Sequence, residues 1–525
     1  MARISVNNLT FYYEGSFDNI FEEVSFSIDT DWKLGLVGRN GKGKTTFLNL
    51  LLGKYEYIGS ISTNTVFDYF PYQVKEEDME RPAAEFADRW KAGAEQWRIL
   101  CELDKLGLDA EVLYRPFGTL SFGERAKVML AVLFSGENDF LLIDEPANHL
   151  DWEARETVKG YLAGKKGFIL VSHDRDFLDA CIDHVLVLNR RSIEVQAGNF
   201  SSWWENKSRK DAFARMENEK HWKEIAKLKA AAERSRQWAE KNEDAKIGYD
   251  PVKEHDRCKG TRAYIGAKTK KMQSRVAQME NRMEKEIREK EGLLLDMESP
   301  VDLKMKPLEH FKKKLLSVDK YGLQYDGSAK PLFEGLSFEV CQGERVFLNG
   351  ANGCGKSSLM KAVLRRIEGG ERGSGLSESG SLQTAPGLKV SYIDQDTSFL
   401  RGSIRDFCRK RDLDESLFCA ILRQLDMERA QFMKNMEDYS EGQKKKVLIV
   451  ASLLIPAHLY LWDEPLNFID VFSRMQIEKL LTEYNPTLLV VEHDVRFREQ
   501  VATKTVELGI CDCQAGRNSG IMTGR

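Results

Sequence analysis

Gly38-Arg39-Asn40-Gly41-Lys42-Gly43-Lys44-Thr45 follows the apolar stretch Gly35-Leu36-Val37 and precedes the helix-forming run Thr46–Leu52. The pattern is G-x-x-x-x-G-K-[ST] in a strand–loop–helix setting. Its glycines let backbone amides point inward without a Cβ in the way, and the helix that follows adds the positive end of its dipole. A loop of this kind cradles phosphate. The pattern returns as Gly350-Ala351-Asn352-Gly353-Cys354-Gly355-Lys356-Ser357, between the apolar Val346-Phe347-Leu348 and the helical run Ser358–Leu364. Lys44 and Lys356 stand 312 positions apart, and the same offset separates Tyr13 from Tyr325. Each tyrosine ends a strand-like stretch, Ile4–Tyr13 and Leu315–Tyr325.

Every later landmark also occurs twice, in the same order. Gln73 follows the strand Val66–Phe70, and Gln395 follows Lys389–Ile393. Leu120-Ser121-Phe122-Gly123-Glu124 pairs with Tyr439-Ser440-Glu441-Gly442-Gln443. The apolar strand Phe140–Ile143 runs into Asp144-Glu145-Pro146, and Leu459–Trp462 runs into Asp463-Glu464-Pro465. Val171-Ser172-His173-Asp174 pairs with Val491-Glu492-His493-Asp494. The chain is therefore expected to contain two copies of one α/β unit, each binding ATP and Mg²⁺.

The residue types fit that chemistry. Gly38, Asn40, Gly41 and Gly43, with Gly350, Asn352, Gly353 and Gly355, shape the two phosphate loops. Lys44 and Lys356 reach for the β- and γ-phosphates, and Thr45 and Ser357 offer hydroxyls to the metal. Thr46 and Ser358 complete the nucleotide-binding set at the helix starts. Asp144 and Asp463, at strand ends, suit the metal or its waters. Glu145 and Glu464 are placed to polarise an attacking water. His173 and His493 could meet the γ-phosphate, and Gln73 and Gln395 the metal or the water. Tyr13 and Tyr325 read either as stacking platforms for adenine or as strand core.

At 525 residues the chain has room for two or three domains. No run of 18 apolar residues exists and the start lacks an apolar signal core, so the expectation is a cytoplasmic protein without membrane spans. Nine scattered cysteines do not suggest a disulfide framework. The net charge of −4 is uneven. Residues 207–290 hold 24 Lys/Arg against 15 Asp/Glu, while the remainder is acidic. Such a segment suits a polyanionic partner, or else is a solvated helical face.

That middle segment differs in kind from the repeats. Trp203 to about Glu243 is rich in Lys, Glu, Ala and Arg, with the apolar positions Phe213, Met216, Trp222, Ile225 and Leu228. Met272, Val276, Met279, Met283, Ile287 and Leu294 form a second apolar stripe at a/d-type spacing. Two antiparallel helices pairing along these stripes are expected, with a bend in 245–271. Forty helical residues at ~1.5 Å each give an arm of about 60 Å. The domain division read from the sequence is 1–200, 201–300 and 301–525.

Together these motifs resemble the ATP-binding-cassette superfamily, whose signature is matched by Leu120-Ser121-Phe122-Gly123-Glu124. Two cassettes in one chain with a charged helical hairpin between them resemble the ABC-F translation factors. The phrases around Ser440 and Asp463, and the opening Asn8-Leu9-Thr10-Phe11, resemble the Lsa-type antibiotic-resistance branch. The resemblance implies two α/β nucleotide-binding domains in tandem, joined by a long antiparallel α-helical hairpin linker and paired head to tail within a monomer. Lys44, Asp144 and Glu145 would then work with Ser440 and Gly442, and Lys356, Asp463 and Glu464 with Ser121 and Gly123; Glu124 and Gln443 are further nucleotide-binding candidates in the signatures. It also implies a partner, the bacterial 70S ribosome. The chain would enter at the tRNA exit site, contacting 23S rRNA, P-site tRNA and exit-site proteins. The linker would reposition tRNA near the peptidyl-transferase centre to displace lincosamides, pleuromutilins and streptogramin A. Tyr249, Tyr264 and Ile265 near the bend could stack on bases or pack on each other. An ABC-F translation regulator without a resistance role, and the ATPase subunit of a transporter, are the alternatives. Tyr439 and Glu441 depart from the commoner Leu and Gly of the signature, which argues against equal rates at the two sites.

Overall fold

The computed structural model describes residues 3–13, 19–39, 43–91, 93–136, 139–148, 150, 152–188, 193–247, 305–327, 330–369 and 375–509, with single positions at 278, 282 and 285. Asn40, Gly41, the second apolar stripe, the bend residues Tyr249, Tyr264 and Ile265, and the end of the chain lie outside them. The chain divides into two compact units, one of Met1–Trp203 with Val301–Arg525 and one of Trp204–Pro300.

Each half of the first unit is built on a parallel sheet. In the N-terminal half the spatial order is Val66–Phe70, Asp139–Asp144, Phe168–Val171, Lys33–Val37, His184–Leu188 and Ile193–Ala197, with only the last pair antiparallel. In the C-terminal half it is Val390–Ile393, Leu459–Asp463, Leu488–Val491, Arg345–Asn349 and Lys504–Glu507, all parallel. Central strands of a parallel sheet are covered on both faces, so they read as continuous apolar runs. Phe140–Ile143 and Leu459–Trp462 show this, with Tyr460 and Trp462 fully buried. Beside each sheet lies a three-stranded antiparallel sheet, in the order Phe21–Asp29, Arg3–Phe11, Ile58–Ser62 and again Phe333–Cys341, Lys314–Tyr325, Leu376–Thr384.

The phosphate-loop helices are Lys44–Leu51 and Lys356–Glu368. Phe47 and Leu48 in one, and Leu359 and Met360 in the other, are fully buried, so each helix is pinned against its sheet by its apolar face. In open parallel sheets ligands sit outside the carboxyl ends of the strands. Val37, Asp144 and Val171 end three adjacent strands, and Asn349, Asp463 and Val491 end their counterparts. The chemistry-bearing residues follow directly from those ends.

In the second unit the one continuous described stretch belongs to a long helix, whose full extent is Phe200–Ile247. Its 48 residues span about 72 Å at ~1.5 Å per residue. Phe213, Met216 and Trp222 are exposed along it.

Candidate functional site

Each phosphate loop closes on its helix through a glycine in the left-handed region, Gly43 at φ 90° and Gly355 at φ 99°. A Cβ on Gly43 would come within 2.7 Å of the Ile20 side chain. The lysines fold back over the loops. Lys44 Nζ donates to the Gly38 carbonyl at 2.7 Å, and Lys356 Nζ to those of Gly350 at 2.7 Å and Ala351 at 2.9 Å. Burial lowers the Lys44 pKa, against the pull of Asp470, Glu145 and Asp144. Asn352 and Gly353 stand exposed on the second loop.

The first helical turns hold the two tyrosines. The hydroxyls of Tyr13 and Thr46 are hydrogen-bonded at 2.8 Å, and those of Tyr325 and Ser358 at 3.0 Å. Both rings remain half-exposed. Tyr13 lies beyond its strand, which ends at Phe11, so it is not strand core. Thr46 and Ser358 thus tether tyrosines, a task that the sequence did not indicate.

The carboxylates are arranged differently in the two halves. Asp144 Oδ2 accepts from Thr45 Oγ1 at 3.4 Å and from Tyr69 OH at 3.0 Å. Asp463 is fully buried with the Ser357 hydroxyl beside it, and neither of its carboxylate oxygens has a well-formed hydrogen bond among the described residues. Burial pushes its pKa up to about 6. A buried carboxylate without a well-formed hydrogen bond, beside a phosphate loop and the Ser357 hydroxyl, fits a divalent cation.

Glu145 and Glu464 both take left-handed backbone angles, φ 52° and 46°, which cost a non-glycine residue about 1–2 kcal/mol. Neighbouring strands hold them there: Glu145 N donates to Val171 O at 2.9 Å, and Glu464 N to Val491 O at 3.0 Å. The turn lifts each glutamate off its strand end. His173 Nε2 lies 3.3 Å from Glu145 Oε1, and His493 Nε2 lies 3.7 Å from Glu464 Oε1. Burial and then Asp144 push the Glu145 pKa up to about 8. Burial also pulls Glu464 upward, but His493 and Lys356 outweigh it and hold it below its ordinary value. Burial keeps the His173 pKa well below the usual value, reinforced by Lys44.

Gln395 Nε2 donates to Glu464 Oε2 at 2.9 Å, and Asn467 Nδ2 to the same oxygen at 2.8 Å. Gln73 does not repeat this. It is exposed and does not line the cavity over Lys44. The strand register explains why. Tyr69 pairs with Leu142 and Tyr392 with Leu461, so Gln73 sits four residues past its reference point and Gln395 three. One inserted residue carries Gln73 away from the position expected of it, and Tyr69 contacts Asp144 instead.

The N-terminal site opens into a cavity of about 800 Å³ lined by, among others, Tyr13, Lys44, Thr45, Asp144, Glu145 and His173. The signature residues lie at helix starts. Ser121 caps Phe122–Leu133 in a reciprocal box with Glu124, and Ser440 caps Glu441–Leu454 with Gln443. The Glu124 and Gln443 side chains thus accept from the serine amides, at 2.7 and 3.1 Å. No signature residue of the C-terminal half is among those lining the cavity. Charges from that half do reach it. Asp470 and Lys446 act on Lys44 and His173, and Arg474 acts on Glu145. Arg39, beside the first loop, pairs with Asp426 at 3.3 Å.

Each half carries one phosphate-loop helix, one strand-end Asp-Glu pair and one capped signature helix. A family model described as ABC transporter matches both halves, over residues 21–148 and 333–467. The chain belongs to the ATP-binding-cassette family. It is an ATP hydrolase that uses Mg²⁺, and its two cassettes and its relatives place it in the ABC-F group. It is 26% identical over 524 residues to "Ribosome protection protein VmlR" of Bacillus subtilis (strain 168), covering 96% of this chain and 88% of that one. It is also 26% identical over 503 residues to "ATP-binding protein Uup" of Caulobacter vibrioides, covering 93% and 74%. Among solved structures it is similar to an archaeal ribosome recycling factor, aABCE1, with a TM-score of 0.59 at 17% identity, covering 95% of this chain and 87% of that one. At that identity the likeness concerns the fold.

Proposed function

We propose that this ATPase is a cytoplasmic, monomeric ribosome-binding factor whose linker acts on tRNA in the 70S ribosome. The observation that carries this reading is the helix Phe200–Ile247. It lies between the two matched cassettes, belongs to neither, and is far longer than a connection between them needs. The surplus positive charge of residues 207–290 suits rRNA and tRNA phosphates. The match to the relative named as a ribosome protection protein covers 96% of this chain. The finer reading is entry at the tRNA exit site and displacement of lincosamides, pleuromutilins and streptogramin A near the peptidyl-transferase centre.

In this account Lys44 and Lys356 hold the nucleotide phosphates, while Thr45 with Asp144 and Ser357 with Asp463 hold Mg²⁺, which neutralises phosphate charge. Glu145 and Glu464 take the proton of the attacking water, oriented by His173 and His493. Tyr13 and Tyr325 carry adenine. Ser440 and Gly442 complete the first site and Ser121 and Gly123 the second. The reach of Asp470 and Lys446 to Lys44 and His173 supports this cross-pairing.

A second reading, translation regulation without resistance, is favoured by relatives of equal identity that are named only as ATP-binding proteins. A coupled translation assay stalled by a lincosamide separates the two. Rescue by the protein, absent with Lys44→Ala/Lys356→Ala, supports protection. Ribosome binding without rescue favours regulation.

A further inference from the structure

The signature helix of the second cassette carries a cation that the first lacks. Lys445 stands at the same distance from Ser440 as Ala126 from Ser121. Ala126 lines the first nucleotide cavity. Lys445 is 2% exposed, its ammonium donates to the Asp394 carbonyl at 3.1 Å, and its charge faces Glu492, Glu464, Asp463 and Asp394. A lysine is held inside a protein only where such groups offset its lost hydration.

The contact falls at a useful point of the chain. Asp394 immediately precedes Gln395, whose amide donates to Glu464 at 2.9 Å. Lys445 therefore fixes the backbone from which Gln395 reaches the glutamate. The first cassette has neither part of this relay. Among the described residues no side-chain amide reaches Glu145, whose Oε1 is buried without a hydrogen bond.

We propose that Lys445 is a positioning residue for hydrolysis at the second site, fixing Asp394-Gln395 so that Gln395 aims Glu464 at the water, and that the second site is consequently the faster. The proposal rests on Glu464 acting as the base. In the step concerned, the water oxygen bonds to the γ-phosphorus, the bond to the β–γ bridging oxygen breaks, and the water proton passes to Glu464.

The test uses the full chain with one base disabled at a time. In Glu145→Gln, turnover comes from the second site, and in Glu464→Gln from the first. The faster of the two should be Glu145→Gln. Lys445→Met should lower kcat of Glu145→Gln about 10- to 100-fold, as loss of alignment does, with KM for ATP within about twofold. Its effect on Glu464→Gln should be smaller by about tenfold. Gln395→Ala should show the same selectivity, and adding Lys445→Met to it should cost little more, because the two act in series. Should Lys445→Met not fold, Lys445→Gln keeps a polar side chain and serves in its place. Equal losses in both backgrounds, a change in KM alone, or additive losses from Lys445 and Gln395 would overturn the proposal. Turnover that survives Glu145→Gln/Glu464→Gln would instead show that the base assignment itself had failed, and the proposal with it.

Discussion

Asp470→Ala is the substitution whose cost the structure specifies best. The Asp470 carboxylate meets Lys446 Nζ at 3.0 Å, with both side chains almost fully buried. It also accepts from the Ser473 amide at 3.0 Å and the Ser473 hydroxyl at 2.9 Å, capping the helix Val471–Tyr484. Removing it strands a buried ammonium, which costs about 3–5 kcal/mol, and deletes an N-cap worth about 1 kcal/mol. The second cassette should lose about 4–6 kcal/mol, or about 10–20 °C in Tm for a domain of that size. Lys446→Met/Asp470→Ala should recover most of this and leave roughly the cap cost, because no charge is then left alone. Burial raises the Asp470 pKa, but Lys446 and the Ser473 amide hold it well below the usual carboxylate range. A depressed folded value stabilises fully above the unfolded value of about 3.9 and is lost as pH falls through the folded one. The deficit of the single variant should therefore be equal at pH 6 and pH 8. Thermal unfolding by circular dichroism reads all of this. A deficit under about 1 kcal/mol, or a double variant less stable than the single, would refute the reasoning.

Substitutions at two further positions, each with a control, test the first site. Gly43→Ala places a Cβ within 2.7 Å of Ile20 at φ 90°, so nucleotide affinity there should fall at least about 100-fold by calorimetry. Gly53→Ala, at φ 67° with open space around it, should cost only about 1 kcal/mol of stability and leave ATP binding intact. Tyr13→Ala should weaken ATP at the first site about tenfold, the worth of an aromatic stack, whereas Tyr13→Phe should keep most of the affinity. Equal losses in the two variants would show that the hydroxyl tie to Thr46, not the ring, matters.

The fold was legible because its decisive residues are local. A phosphate loop, a strand-end Asp-Glu and a capped signature serine each need only a few adjacent residues, and all occur twice. What stayed hidden depends on contacts between distant segments. Gln73 and Gln395 look alike in sequence, yet a one-residue difference in spacing past the strand takes Gln73 out of the site. The left-handed turn at Glu145 and Glu464 had no sequence mark, since both are ordinary acidic residues. Lys445 and Lys446 belong to a Lys-Lys-Lys run yet are buried, because each finds its partner on another segment, Asp394 and Asp470. Phe200–Ile247 was expected as a helix from Trp203 to about Glu243 and continues four residues further.

Pelleting of Glu145→Gln/Glu464→Gln through a sucrose cushion with 70S ribosomes and ATP tests the central claim most directly. The account predicts near-stoichiometric co-sedimentation that requires ATP, is lost with Lys44→Ala/Lys356→Ala, and weakens steeply as salt rises, as phosphate-directed binding does. Protein left in the supernatant under ATP-trapping conditions at low salt would contradict it.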